Sequence, residues 1–182
     1  MTNDSGFAET CRHNVELKAR RASLDDARQT ARRLADDRVE PEHQTDSYFR
    51  CQRGRLKLRE IQGGRAELIW YDRADQTEPK ACRYALVPVE DATAVKRALA
   101  AALGVRHVVV KDREIFLRHN VRIHLDRVEG LGEFIEFEAV LEPEQSPEEG
   151  QAQVDELRRE FGIAPEDLIT GSYVDLANGH AK

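Results

Sequence analysis

Hydrophobic and ionic residues alternate with period two in six segments of this chain, the spacing of β-strands with two unlike faces. Asn14, Glu16, Lys18 and Arg20 share one face, while Val15, Leu17 and Ala19 take the other. Arg55, Lys57 and Arg59 oppose Leu56 and Leu58. The same division holds for Glu67, Tyr71 and Arg73, for Lys111 and Arg113, for Arg122, His124 and Asp126, and for Glu136 and Glu138. An ordinary half-buried sheet mixes Ser, Thr and Gln into its polar face. These faces carry almost nothing but ions, with cations in the majority and carboxylates gathered on the first and last strands of the set. So many like charges on facing strands repel unless a counter-ion sits among them. The natural counter-ions are a polyanion and a metal. The pattern therefore predicts strands turned inside out, with ionic faces inward around a phosphate-rich ligand and apolar faces outward beneath helices.

The remaining segments supply those helices. A strand over roughly 12–21 leads to Ser23, which opens a helix with Asp26 three residues on, in the manner of a capping box. Pro41 closes a linker, and DSYFRC and GRLKLREI read as two strands joined near Gly54. Gly63-Gly64 forms a hairpin turn into AELIWYDR, and ACRYALVPV is a further strand. Asp91 caps a second helix that ends at Gly104. HVVVKDREIFLR and VRIHLDRV meet at a turn by His119-Asn120, and Gly130 and Gly132 turn the chain into EFIEFEAVLE. Ser146-Pro147 starts a third helix, ended by Gly162, and a short helix near 165–170 precedes GSYVDLA. Seven or eight strands joined mostly by hairpins, with helices alongside, predict an α+β chain whose antiparallel sheet closes on itself. One domain spans 12–176, with 1–11 and 177–182 as flexible termini.

A chain of 182 residues suffices for one real core. Its net charge of −6 argues against a nucleic-acid or membrane binder working by bulk electrostatics, although 34% of its residues are charged. No apolar run approaches the length of a transmembrane helix, and the first residues lack a basic and then an apolar stretch, so no secretory signal is expected. Three cysteines without a CxxC pair suit neither disulfide staples nor a zinc ribbon. A reducing cytoplasm and a monomer or homodimer are the expectations.

The candidate chemistry lies on the ionic faces. Asn14-x-Glu16-x-Lys18 sets a metal-ligating carboxylate beside a phosphate-binding ammonium, or is merely a surface strand with an ion pair. Arg55-x-Lys57-x-Arg59 binds phosphate, or guards a solvated edge. Lys111-x-Arg113 repeats that pattern elsewhere and strengthens the first reading. Asp126 and Glu136-x-Glu138 fall on paired hairpin strands and can converge. Converging carboxylates suit Mg²⁺ or Mn²⁺, which also accept phosphate oxygens, and an ion-pair cluster is the alternative. His124 shares their face and can orient a water or a phosphate. No GxSxG, Walker loop or Cys/His pair offers a nucleophile.

Together these residues resemble the CYTH family of class IV adenylyl cyclases and thiamine triphosphatases, also called triphosphate tunnel metalloenzymes. The family's ExExK signature reads Asn14-Val15-Glu16-Leu17-Lys18. Gly54–Glu60 resembles its basic block, and Lys111-Asp112-Arg113 its KxR block. Arg122–Asp126 with Gly130–Glu138 resembles its metal-binding hairpin, and Ser172-Tyr173 its closing pair. The resemblance implies an eight-stranded antiparallel β-barrel, a tunnel, with flanking helices. It implies metal ligands at Glu16, Asp126, Glu136 and Glu138. Lys18, Arg55, Lys57, Arg59, Arg73, Lys111, Arg113 and Arg122 would hold the triphosphate substrate, and Glu16, Lys18, Asp126 and Glu138 would be catalytic. It implies a Mg²⁺- or Mn²⁺-dependent hydrolase of a triphosphate compound. The alternatives are a class IV adenylyl cyclase, or a polyphosphate or nucleotide binder without catalysis. Two departures stand out. Asn14 replaces the first signature Glu and brings no charge, and only Gly6-Phe7 stands where cyclases often carry an HF pair.

Overall fold

Eight antiparallel strands close into a barrel in the order β1-β5-β4-β3-β2-β6-β7-β8. The computed structural model describes residues 11–179. The strands are β1 (Arg12–Arg21), β2 (Asp37–Phe49), β3 (Arg55–Ile61), β4 (Ala66–Arg73), β5 (Lys80–Pro88), β6 (Val105–Arg118), β7 (Val121–Val128) and β8 (Gly132–Val140). The helices are α1 (Asp25–Leu34), α2 (Ala92–Leu103), α3 (Pro147–Glu160) and α4 (Tyr173–Ala177), with a 3₁₀ turn at Pro165–Asp167. Expected residues 1–10 and 180–182 of the flexible termini lie outside the described residues. No described helix is long and apolar enough to cross a membrane.

The period-two pattern explains the closure. Outward-facing Val15, Leu17, Ala19, Ile123, Leu125, Ile135, Phe137 and Ala139 are all buried, because α1 and α3 lie over them. Leu24, Ala27 and Ala31 of the α1 region, and Val154, Leu157 and Phe161 of the α3 region, complete this core. Phe137 and Phe161 meet with ring centroids 5.1 Å apart. Each such buried large side chain contributes about 1.5–3 kcal/mol. The approach of α3 to the barrel is close: a Cβ on Gly150 would sit 2.7 Å from Leu141 Cδ2 and 3.0 Å from Val15.

Three local details differ from the sequence expectation. Strand β2 begins at Asp37 and runs through Pro41, which had read as the end of a linker. Its register against β6 slips between Val39 and Glu42, so the bulge accommodates a residue without an N–H. Helix α1 is not opened by a Ser23 capping box. Ser23 Oγ accepts from Asp25 N at 3.2 Å, and Glu133 of β8 accepts from Leu24 N at 2.9 Å. The segment at 173–177 is a helix, α4, and it lies across one end of the barrel. There Tyr173 and Val174 pack with Tyr48, Tyr71, Val109 and Phe134. By contrast, Asp91 caps α2 through Ala94 N, and Ser146 and Glu149 form a complete capping box on α3.

Candidate functional site: the charged tunnel

The inward faces enclose a cavity of about 530 Å³. By their positions along the strands, Arg12, Glu42, Arg65, Leu86 and Leu117 line it toward one end, the mouth, and Tyr48, Lys57, Tyr71, Ser172 and Tyr173 toward the other. The strand register sets out the charges as a lattice. Glu138 of β8 stands between Glu16 on β1 and Arg122 on β7. One step deeper, Glu136 stands between Lys18 and His124.

At the deep end the organising group is Asp46 on β2, with no exposed surface. It accepts from Lys57 Nζ at 2.9 Å, Arg59 Nε at 2.8 Å and Lys111 Nζ at 2.9 Å. Burial alone would raise its pKa, but the charges of Arg59, Lys111 and Lys57 overturn that and hold the carboxyl well below its usual range. Burial, with Arg59 next to it, lowers the Lys57 ammonium to about 8 and carries Lys111 well below its ordinary value. One carboxylate thus offsets three cations that converge from β3 and β6. Residue 46 had no place among the sequence candidates. Its only signal was its shared parity with Gln44 and Tyr48.

A second chain of pairs lines the wall. Lys18 Nζ donates to Glu136 at 2.7 Å and lies 4.1 Å from the centre of the Tyr173 ring. Arg113 donates to Glu136 at 2.9 Å and to Asp126 at 2.6 Å. Burial opposes ionisation of Glu136, but Lys18, His124 and Arg113 outweigh it and keep the carboxylate charged. Arg73, on β4, brings Nε to 2.9 Å from Glu16. Burial, followed by the charge of Arg113, lowers the His124 pKa.

The candidate residues therefore divide. Glu16, Lys18, Lys57, Arg59, Arg73, Lys111, Arg113, Arg122, Glu136 and Glu138 all line the one cavity. Asp126 and Arg55 do not. Asp126 is fully buried, gripped through both oxygens by Arg113, and accepts from Tyr173 Oη at 2.7 Å. Arg55 points to the barrel end, where it donates to Asp75 at 2.7 Å and to Asp175 of α4 at 2.8 Å. Its neighbour Arg106 also donates to Asp175, at 2.9 Å. Lys80, a residue the pattern did not single out, is 2% exposed and donates to the carbonyls of Gln76 and Thr170 at 2.8 Å each. These three cations fasten the segment that closes the tunnel.

Among the described residues, no three His, Cys, Asp or Glu side chains already converge as a metal cage. The reason is visible in the pairing: Glu16 faces Arg73, Glu136 faces Lys18 and Arg113, and Glu138 faces Arg122 at 3.2 Å and takes the amide of Asn14. The donors present nevertheless suit a hard divalent cation. Glu16 and Glu138 are direct neighbours across β1 and β8. Asn14, 2% exposed, keeps an amide oxygen on that wall with no hydrogen-bond partner.

A closed antiparallel tunnel whose wall sets carboxylates against cations defines the class of this molecule. Its sequence matches the CYTH domain model over residues 12–173, and the chain belongs to that family. No curated protein matches the chain in sequence. Among solved structures, it is similar to the PH1012 protein of Pyrococcus horikoshii OT3. They share 27% identity and a TM-score of 0.78, over 90% of this chain and 98% of that one. A candidate adenylate cyclase from Vibrio parahaemolyticus shares the fold at 22% identity and a TM-score of 0.75, over 92% and 98% of the two chains. HpAC1 from Hippeastrum, reported with a dominant triphosphatase activity, shares it at 13% identity and a TM-score of 0.60, over 84% and 88%.

Proposed function

We propose that this chain is a divalent-metal-dependent hydrolase of a triphosphate compound held in the tunnel. The observation that carries the reading is the presence of two charge arrays on one cavity. Lys18, Lys57, Arg59, Arg73, Lys111, Arg113 and Arg122 project from five strands, and Glu16, Glu136 and Glu138 occupy the β1–β8 wall. A linear anion can touch several of these cations at once, and the cavity volume lies within the range of small-molecule sites. Membership of the CYTH family and the triphosphatase activity reported for the Hippeastrum protein support the same reading.

Phosphoryl transfer needs alignment and neutralised oxygens more than covalent help. Lys57, Arg59 and Lys111, preset by Asp46, receive the deep end of the anion. Lys18 and Arg73 exchange their carboxylate partners for phosphate oxygens, and that exchange frees Glu136 and Glu16. Glu16, Glu138 and the Asn14 amide oxygen are the residues to hold Mg²⁺ or Mn²⁺. The chemistry such a cation supplies when bound is charge neutralisation and a water of lowered pKa. Arg122, at the mouth, meets whatever group the triphosphate carries.

The experiment is a panel of tripolyphosphate, thiamine triphosphate, ATP and GTP with each metal, with products separated. Metal-dependent release of phosphate supports the hydrolase. Cyclic AMP with pyrophosphate would transfer the site to a cyclase. Binding without turnover would make the chain a polyphosphate binder, the outcome that the uncharged Asn14 favours.

A further inference from the structure

The strand that places Asp126 out of reach places His124 within the cavity. His124 is 4% exposed and lies opposite Glu136 in the β7–β8 register. Its Nδ1 is 3.4 Å from Glu136 and its Nε2 is 3.9 Å from Glu138. Glu138 lies opposite Glu16 and takes the Asn14 amide, whose buried Oδ1 has no partner. The imidazole therefore stands at the margin of the oxygen donors assigned above to a divalent cation. That donor group is unusual in charge and in kind: position 14 contributes a neutral amide, and position 124 a nitrogen. Mg²⁺ takes oxygen ligands and keeps its waters; imidazole suits the later first-row transition cations best, and Mn²⁺, lowest of that series, still accepts it more readily than Mg²⁺ does.

We propose that His124 ligates the divalent cation through Nε2 and makes the site selective for a first-row transition cation such as Mn²⁺ over Mg²⁺. The proposal rests on the reading of the tunnel as a metal-dependent site. A histidine that served only to hydrogen-bond Glu136 would leave the metal in an all-oxygen shell, and this difference can be observed without any turnover.

The test uses Mn²⁺ alone as the probe and electron spin-echo envelope modulation as the readout. The native protein should show nitrogen-14 coupling to bound Mn²⁺, converted to nitrogen-15 coupling when its histidines carry that label. His124→Gln should keep a folded barrel and bind Mn²⁺ without the coupling. His124→Asp should retain binding, while the Mn²⁺-to-Mg²⁺ affinity ratio, read by competition, falls on the order of tenfold. Should His124→Gln fail to fold, labelled native protein decides ligation, since His124 is the one histidine lining the cavity among the described residues. Bound Mn²⁺ without nitrogen coupling, but lost in Glu138→Gln, would overturn His124 ligation and leave the metal site in place. Mn²⁺ bound equally by the native protein and by a Glu16→Gln/Glu138→Gln variant would overturn both readings.

Discussion

The substitution Asp46→Asn isolates the counter-ion built into the deep end of the tunnel. Asn keeps the volume, so no cavity opens, and only the charge is lost. Three ammonium and guanidinium groups within 2.9 Å would then face one another with no carboxylate. Removing one partner from a buried ion pair costs about 3–5 kcal/mol. Here the lysines have an escape. Burial and Arg59 already lower Lys57 to about 8 with Asp46 in place, and without that carboxylate its proton leaves more readily still. That route holds the loss to the low end of the range, about 3 kcal/mol, which for a chain of this size lowers Tm by roughly 6–12 °C. Two further results should follow. The penalty should shrink between pH 7 and 9, because Lys57 loses its charge there in the native protein and has already lost it in the variant. Tripolyphosphate should raise the Tm of the variant more than that of the native protein, because it replaces the missing anion. Differential scanning fluorimetry in phosphate-free buffer measures all three quantities. An unchanged melting temperature, or an equal tripolyphosphate increment in both proteins, would refute the role given to Asp46.

Glu138→Gln should abolish metal-dependent turnover at little cost in stability, since its cation Arg122 is partly exposed; Glu16→Gln should abolish it too but lower Tm, because Arg73 is left buried and unpaired. Full activity of either variant at saturating metal would remove that residue from the site. Thermal stabilisation should grow from phosphate to pyrophosphate to tripolyphosphate, toward about 2.7 kcal/mol at one hundred times Kd, and a flat series would show that the cations do not act on one ligand. Asn14→Glu should tighten divalent-metal binding in calorimetry while lowering stability without metal, because its amide donor to Glu138 becomes a like charge; unchanged affinity would place residue 14 outside the coordination shell. Lys57, held near 8 against an ordinary 10.5, binds fewer protons in the folded than in the unfolded chain between those values. Stability without ligand should therefore rise from pH 8 to 10, while tripolyphosphate affinity falls and binding at pH 8.5 takes up protons in calorimetry. Proton release on binding would contradict that assignment.

Parity made most of the tunnel legible. Once β1, β3, β4, β6, β7 and β8 alternate, every inward residue is known from its neighbour, and hairpin glycines such as Gly63-Gly64 order the pairing. Parity does not state depth along a strand. Arg55 and Lys57 share a face, but one step of two residues carries Arg55 past the barrel end to Asp175. The same step separates Asp126, locked under Tyr173, from His124 in the cavity. Asp46 escaped notice for another reason. Its partners lie 11, 13 and 65 residues away: Lys57 and Arg59 reach it from the neighbouring β3, and Lys111 only once β6 pairs with the other side of β2. The first half of β2 was hidden by Pro41, since a proline in a strand is tolerated only where the ladder skips a bond, and bulges have no marker in single-sequence periodicity.

Among the described residues, the short helix α4, fastened by Lys80, Arg55 and Arg106, stands across the deep end of the tube. With entry confined to the opposite mouth, traffic would be last in, first out. Whatever lies beside Lys57 and Lys111 would then leave only after the group nearer Arg122. On the proposed reading, a polymer of many phosphates would offer such a vessel its terminus rather than its middle.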